Sequence, residues 1–123
     1  MNILIVDDSV ALRKILERMI RTVGVDVHEI REAGDGQGAL ESLESFWADV
    51  ILSDIRMPNM DGLRLLSHIR AIDTWKDTKV IMMSTECTRD KVMEAIQSGA
   101  NGFIRKPFSK SEIQEKLGRA RLS

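Results

Sequence analysis

Three aspartates in this sequence stand where strands of a parallel sheet would end. Asp7 and Asp8 directly follow the apolar run Ile3–Val6, and Asp54 follows the mostly apolar run Val50–Ser53. Carboxylates held close together repel one another, and the repulsion favours a cation between them. Mg²⁺ suits such a set, because it takes one or two carboxylates together with waters and phosphate oxygens. The three residues therefore predict a magnesium site.

Two further polar residues follow later apolar runs at corresponding places. Ser84 ends the run that begins at Val80, and Lys106 ends the run that begins at Gly102, just before Pro107. Taken singly, a serine at a strand end usually begins a loop, and a lysine is usually solvated. Beside the acidic cluster, the two residues would supply a hydroxyl donor and a positive charge for an incoming anion.

Each of these residues also has an ordinary structural interpretation. Asp8 or Ser9 could cap the first helix, and Asp61 could cap the third. Asp54 precedes a Pro-Asn turn and could belong to simple turn chemistry. This interpretation is weaker for the whole set, because capping and turn formation do not explain why an adjacent acidic pair and a third acid would meet at neighbouring strand ends.

The placement of these residues depends on a predicted sheet of five strands that alternate with five helices. The predicted strands are Ile3–Val6, Val25–Ile30, Val50–Ser53, Val80–Met83 and Gly102–Ile104. Apolar residues recur at helical spacing after each strand, which predicts an α/β fold with a doubly wound, five-stranded parallel sheet, (βα)5. In the common strand order 2-1-3-4-5 the first and third strands are neighbours, so Asp7, Asp8 and Asp54 would converge.

Length and composition agree with one small soluble domain. The chain has 123 residues, of which 43% are hydrophobic and 30% charged, and its formal net charge is −1. This balance gives no indication of nucleic-acid binding. Cys87 is the single cysteine, so an internal disulfide is excluded. The apolar run at the N-terminus is short and has no basic leader, so we expect neither a membrane span nor a signal peptide, and a cytoplasmic protein.

Four segments stand in the order and at the intervals of a known family. They are Leu4–Ser9, Glu32–Gly36, Asp54–Gly62 and Lys106–Phe108. Together they resemble the response regulator receiver family, and especially its chemotaxis-type, CheY-like single-domain members. The resemblance covers essentially the whole chain, which implies one receiver domain over residues 1–123 with the flavodoxin-like fold of that family.

The resemblance implies a role for each acidic residue. Asp54 would be the phosphoacceptor and a magnesium ligand. Asp8 would hold Mg²⁺ directly, Asp7 would hold it mostly through water, and the backbone carbonyl of Arg56 would be a further ligand. A phosphoacceptor of this kind is not an enzyme with a separate substrate, although it would catalyse its own phosphotransfer and a slow autodephosphorylation.

The resemblance also implies how the phosphoryl group would be recognised. Lys106 would contact it, with a cis peptide bond to Pro107. Ser84 would bond a phosphoryl oxygen once Asp54 is modified. Phe103 occupies the aromatic switch position, and the resemblance favours that role, whereas the residues alone favour a core residue of a short strand.

Three residues beside the predicted site occupy positions that vary within the family. Arg56 and Glu86 lie two residues past Asp54 and Ser84, and as a hypothesis they pair across the mouth of the site and gate attacking water. Thr85 stands where the family more often has Ala or Gly, and its bulk could narrow access. The alternative is that Arg56 and Glu86 are solvated, since exposed ion pairs contribute little.

The expected partners are proteins. A sensor histidine kinase or a phosphotransfer protein would supply the phosphoryl group. A downstream target would bind the fourth and fifth helices and the strand between them, by analogy with the family. The pair Asn101-Gly102 lacks the acidic residues of receivers that dimerise through this face, so we expect a monomer and chemotaxis-like signalling.

Other functions remain as alternatives. An FMN carrier of the same strand order would need hydroxyls and amides in its first loop, where Asp7 and Asp8 would repel phosphate. An aspartyl phosphatase would need a second Asp at position 56, where this chain has Arg. The remaining alternatives are a phosphorylation-independent interaction module, or pseudo-receiver, and a receiver domain excised from a larger regulator.

Overall fold

The computed structural model describes residues 1–122, which form five strands and five helices in strict alternation. The strands are β1 (Asn2–Val6), β2 (Glu29–Ala33), β3 (Val50–Asp54), β4 (Lys79–Ser84) and β5 (Gly102–Arg105). The helices are α1 (Val10–Thr22), α2 (Gly36–Leu43), α3 (Gly62–Ala71), α4 (Arg89–Gln97) and α5 (Lys110–Leu122), and a short 3-10 turn covers Asp73–Trp75.

All neighbouring strands are parallel, in the order β2-β1-β3-β4-β5. This confirms the predicted doubly wound sheet and its strand order. Val6 of β1 is in register with Ser53 of β3. The residues that follow them, Asp7 and Asp54, therefore leave the sheet at the same level on adjacent strands, which is the arrangement that the predicted site requires.

The sheet is buried on both faces, and alternate side chains of each strand enter different cores. Leu4 and Val6 belong to the core beneath α2, α3 and α4. Ile3 and Ile5 belong to the core beneath α1 and α5, which contribute Leu16 and Ile20, and Ile113 and Leu117. Burial on both faces explains why β1 is a continuous apolar run in the sequence.

The second strand differs from its predicted position of Val25–Ile30. It runs from Glu29 to Ala33 at the edge of the sheet, and four of its five residues are only partly buried. Polar residues are therefore tolerated in this strand. Val25 and Val27 lie in the preceding segment and pack against the core beneath α1 and α5 without joining the sheet. Their apolar character reflects this packing, which the sequence pattern could not separate from strand formation.

Side chains cap the N-termini of the first four helices. Ser9, Asp35, Asp61 and Thr88 accept hydrogen bonds from backbone amides in the first turns of α1, α2, α3 and α4. Gly24 follows α1 with a φ of +79°, in the left-handed region that favours glycine. Within residues 1–122, no helix has the length and apolar character needed to cross a membrane.

Candidate functional site

The three predicted acidic residues meet at the carboxyl edge of the sheet. Asp7, Asp8 and Asp54 each place one carboxylate oxygen within 4.8 Å of the others. Asp7 is 1% exposed, Asp54 is half-buried and Asp8 is exposed. A cluster that runs from the interior to the solvent in this way is chemically suited to a hard divalent cation, which takes carboxylate ligands and keeps several waters.

Lys106 reaches the same cluster from the end of β5. Its Nζ lies 2.7 Å from Asp7 Oδ2 and 3.3 Å from Asp54 Oδ1. Its backbone amide donates to the Ser84 carbonyl at 2.8 Å, and the Lys106-Pro107 peptide bond is cis, as the resemblance implies. The structure therefore brings the ammonium group of Lys106 to the predicted acidic residues, although Lys106 and Asp7 are 99 positions apart in the sequence.

Both carboxylate oxygens of Asp7 are occupied by donors from the protein. The backbone amide of Ser9 donates to Oδ1 at 2.9 Å, and Lys106 donates to Oδ2. Arg13 adds a hydrogen bond of 2.6 Å to the Asp7 carbonyl, while its Nε pairs with Glu32 on β2 at 3.0 Å. By contrast, none of the residues that the structure describes donates a hydrogen bond to Asp8.

Asp54 is held by its own neighbours in the chain and by Lys106. The Ile55 amide donates to Asp54 Oδ1 at 2.9 Å, the oxygen that Lys106 also approaches. No donor within residues 1–122 contacts Oδ2. Burial raises the pKa of Asp54, and the charge of Asp7 raises it further, while Lys106 acts in the opposite direction.

Gly62 allows helix α3 to begin against Asp54. A Cβ atom added at Gly62 would lie 2.1 Å from the Asp54 carbonyl oxygen, which no side chain could accommodate. Asp61 caps this helix through the Arg64 amide at 2.8 Å, as predicted, and is not part of the acidic cluster.

Ser84, at the end of β4, is 6% exposed. Its Oγ accepts a hydrogen bond of 3.0 Å from the Glu86 amide, so the hydroxyl oxygen is engaged by its own loop. Phe103, the predicted switch aromatic on β5, is partly buried and packs against the core beneath α2, α3 and α4. Its position therefore fits both interpretations given by the sequence.

The predicted pairing of Arg56 with Glu86 is present in the structure. Arg56 Nη2 contacts Glu86 Oε1, and the pair joins the loop after β3 to the loop after β4. Arg56 and Thr85 are exposed, and Glu86 is partly exposed. The two loops that flank Asp54 are thus linked by a charged pair at the surface.

Sequence reasoning did not assign roles to several residues that support the site. Arg13 and Glu32 hold the loop after β1, and in the loop after β3 Asn59 Nδ2 donates to Asp35 Oδ2 at 2.7 Å. Glu32 and Asp35 lie within a segment that carried the family resemblance. No local pattern assigns them a partner, because each contact joins residues distant in the sequence.

Comparison with known sequences agrees with this geometry. The family model described as the response regulator receiver domain matches residues 3–118. The Vibrio cholerae chemotaxis protein CheY-3 is 40% identical over 117 residues, covering 95% of this chain and 88% of that protein. The chemotaxis protein CheY of Pseudomonas aeruginosa is 39% identical, covering 95% of this chain and 93% of that protein.

Solved structures have the same fold. Vibrio cholerae CheY4 matches with a TM-score of 0.87 and 32% identity, covering 97% of each chain. The receiver domain of the Pseudomonas aeruginosa sensor histidine kinase PA1611, solved with magnesium in its active-site cleft, matches with a TM-score of 0.87 and 30% identity, covering 99% of this chain and 98% of that chain. From its sequence, its fold and its acidic cluster, this chain belongs to the response regulator receiver domain family and is a receiver domain of a two-component system.

Proposed function

We propose that this domain is a phosphoacceptor switch that takes a phosphoryl group onto Asp54 in the presence of Mg²⁺. The observation that carries the proposal is the convergence of Asp7, Asp8 and Asp54 within 4.8 Å, with Lys106 Nζ 3.3 Å from Asp54. The domain would be a phosphoacceptor that catalyses its own modification, and not an enzyme that turns over a separate substrate.

The donor atoms at the site fit Mg²⁺. Asp8 is exposed and receives no hydrogen bond from the described residues, so its carboxylate is available as a direct ligand. Asp7 already accepts hydrogen bonds on both oxygens, which favours contact through water. The Arg56 carbonyl accepts no hydrogen bond from residues 1–122 and is a further candidate. When bound, Mg²⁺ would offset the negative charge of Asp54 and of the phosphoryl oxygens.

In the phosphotransfer step, Asp54 Oδ2 is the proposed nucleophile. It forms a bond to phosphorus as the bond between phosphorus and the donor breaks, and the electron pair of that bond leaves with the donor. The donor is a phosphohistidine of a sensor kinase or phosphotransfer protein. The ionised carboxylate needs no general base. The Ile55 amide and Lys106 bind Oδ1 and thereby orient the carboxylate.

Lys106 and Ser84 are the residues proposed to recognise the product. Hydrogen bonds to charged groups contribute about 1.5–3 kcal/mol each, so two of them would supply roughly 3–6 kcal/mol. Converting a 1:99 equilibrium into 99:1 requires ~5.5 kcal/mol. Ser84 Oγ accepts from the Glu86 amide, so its hydroxyl proton can donate to a phosphoryl oxygen. Movement of Ser84 towards that oxygen would open space to which Phe103 would respond.

Hydrolysis would return the domain to its resting state. Water attacks phosphorus, inorganic phosphate leaves, and Asp54 recovers its carboxylate. The Arg56–Glu86 pair and Thr85 lie in the loops that follow β3 and β4, and we propose that they border the route of attacking water and set the lifetime of the acyl phosphate.

The proposed output surface consists of α4, β5 and α5, with a downstream protein as partner. Met93 and Ile96 of α4 are each 45% exposed, which offers apolar contacts to that protein. The chemotaxis relatives support a chemotaxis-like role. We propose this role for a monomeric cytoplasmic protein.

Mass spectrometry of the intact protein tests the proposal. The domain is incubated with acetyl phosphate and Mg²⁺, with Asp54→Asn as the matched control and EDTA as the metal control. One phosphoryl adduct is expected, present only in the unsubstituted chain with Mg²⁺. An adduct that persists in Asp54→Asn would overturn the site assignment, and the complete lack of an adduct would favour the pseudo-receiver.

A further inference from the structure

The loop between β3 and α3, residues 55–61, carries Arg56 past the acidic cluster. At its inner end the Gly62 amide donates to the Ile55 carbonyl at 2.8 Å, and the Ile55 amide donates to the Met83 carbonyl at 3.2 Å. These bonds fix the two ends of the loop next to the sheet. They do not hold the outer part of the loop, around Asn59.

The N-terminus of α2 holds this outer part. Asn59 Nδ2 donates to Asp35 Oδ2 at 2.7 Å, and the Gly36 amide donates to the Met60 carbonyl at 3.1 Å. A Cβ atom at Gly36 would lie 2.7 Å from Met60 Cγ and 2.9 Å from the Met60 carbonyl oxygen. The loop and the helix therefore approach so closely that only glycine fits between them.

Asp35 uses its two carboxylate oxygens for different purposes. Oδ1 accepts from the Gly38 amide at 2.7 Å and caps α2, whereas Oδ2 accepts from Asn59. Asn59 has a φ of +67°, in the left-handed region that asparagine tolerates better than most residues. A cap needs only one of these oxygens, so the bond to Asn59 is additional to the structural role of Asp35.

We infer that Asp35 and Asn59 form a clamp that positions the loop after β3 for metal binding. Neither residue belongs to the acidic cluster. They act through the loop that carries Arg56, whose backbone carbonyl is a proposed metal ligand and whose side chain contacts Glu86. This inference rests on the proposed magnesium-dependent function and assigns a part of it to the junction of β2 and α2.

Exchange of the donor and the acceptor separates a clamp from a simple helix cap. Asn59→Asp places two carboxylates against each other and should open the loop. The double variant Asp35→Asn with Asn59→Asp restores one donor and one acceptor, keeps a good N-cap and has the net charge of the original chain. Asn59→Gly is a second probe, because glycine tolerates the positive φ and removes the side chain. Glycine also frees the backbone, so the exchanged pair, which keeps a side chain at both positions, is the deciding comparison.

Two NMR measurements are made on each variant. Amide hydrogen exchange of residues 56–60 in EDTA reports how firmly the loop is held, and titration with MgCl₂ gives the metal Kd from amide shifts. We expect Asn59→Asp and Asn59→Gly to exchange faster and to bind Mg²⁺ about three- to tenfold more weakly, as expected for one lost hydrogen bond. The exchanged pair should return both values to within about twofold of the original.

The added carboxylate of Asn59→Asp would by itself strengthen metal binding, so weaker binding cannot arise from its charge. If both single variants bind Mg²⁺ as the original chain does, or if the exchanged pair fails to recover, the clamp has no positioning role. If the original chain itself does not bind Mg²⁺, the proposed function fails together with this inference. The two failures are therefore distinguished by whether the original chain binds Mg²⁺.

Discussion

Lys106 Nζ is closer to Asp7 than to Asp54, at 2.7 Å against 3.3 Å. The main partner of the lysine is therefore the buried aspartate at the end of β1, and Asp54, the proposed phosphoacceptor, is its second partner. The ammonium group compensates a carboxylate that is 1% exposed, and it remains within reach of a group added to Asp54. One side chain thus combines a structural contact with Asp7 and the proposed contact with the phosphoryl group.

Lys106→Met should destabilise the metal-free protein. Loss of the ammonium leaves Asp7 buried without its countercharge, which costs about 3 kcal/mol, and this corresponds to a fall in Tm of ~10 °C. Thermal unfolding in EDTA measures the effect, and MgCl₂ should recover part of it. Lys110→Met, at an exposed lysine of α5, is the control. Equal Tm values for the two variants would contradict the pairing of Lys106 with Asp7.

Asp54→Asn should stabilise the metal-free protein at neutral pH. Burial raises the pKa of Asp54 in the folded state. The contribution of Asp54 to the free energy of unfolding is therefore largest below the unfolded pKa of about 3.9, where the carboxyl is protonated in both states. As the pH rises through the folded pKa, the buried carboxyl ionises and this stability is lost. Asparagine avoids this loss, so the variant should have the higher Tm in EDTA at pH 7, with the difference shrinking below pH 4.

Magnesium supplies the control for the Asp54→Asn experiment. Binding to the folded state stabilises it in proportion to the logarithm of ligand concentration over Kd. MgCl₂ should therefore raise the Tm of the original chain more than that of the variant. A variant that is less stable than the original in EDTA at pH 7 would show that the ionised carboxylate does not oppose folding.

Ser84→Ala should separate phosphorylation from the structural response. The variant keeps the acids and Lys106, so an adduct should still form. It loses one of two proposed hydrogen bonds to the phosphoryl group, about 1.5–3 kcal/mol, which leaves the active state partly populated. Amide shifts of α4 and β5 with acetyl phosphate and Mg²⁺ measure this population. Ser84→Thr retains the hydroxyl and should respond fully, whereas a full response of Ser84→Ala would remove the switch role.

Arg56→Ala and Glu86→Ala should each shorten the lifetime of the acyl phosphate. Exposed ion pairs contribute 0.2–1 kcal/mol, so the expected change is at most about fivefold. Decay of the phosphorylated protein, followed by mass spectrometry, gives the rate. The double variant Arg56→Glu with Glu86→Arg restores the pair and should recover the lifetime. Unchanged lifetimes in both alanine variants would contradict the proposal that the Arg56–Glu86 pair restricts the access of water.

Gly62→Ala and Gly118→Ala should have opposite effects on stability. At Gly62 a Cβ would overlap the Asp54 carbonyl oxygen, and overpacking of this kind costs about 3 kcal/mol or more. At Gly118 in α5 a Cβ meets nothing within 4 Å, so the gain in helix propensity should stabilise the protein by about 0.5–1 kcal/mol. Urea denaturation measures both, and equal destabilisation would contradict the close approach at Gly62.

The sequence by itself predicted four of the five strands and the acidic set, while the strand order was taken from the common arrangement of such sheets. It could do so because burial on both faces leaves a continuous apolar run, and because parallel strands place their carboxyl ends on one edge. Asp7, Asp8 and Asp54 were therefore accessible to reasoning from position alone. The edge strand β2 was not, since three of its four partly buried residues carry charge while Val25 and Val27 pack outside the sheet.

Only the tertiary structure decided which side chains act on one another. The contacts of Lys106 with Asp7 and of Asn59 with Asp35 join residues 99 and 24 positions apart, and they depend on strand register and loop path. Local patterns record burial and helix or strand period, because these act between near neighbours in the chain. A hydrogen bond between distant residues depends on positions within a few tenths of an ångström, which only the packed domain determines.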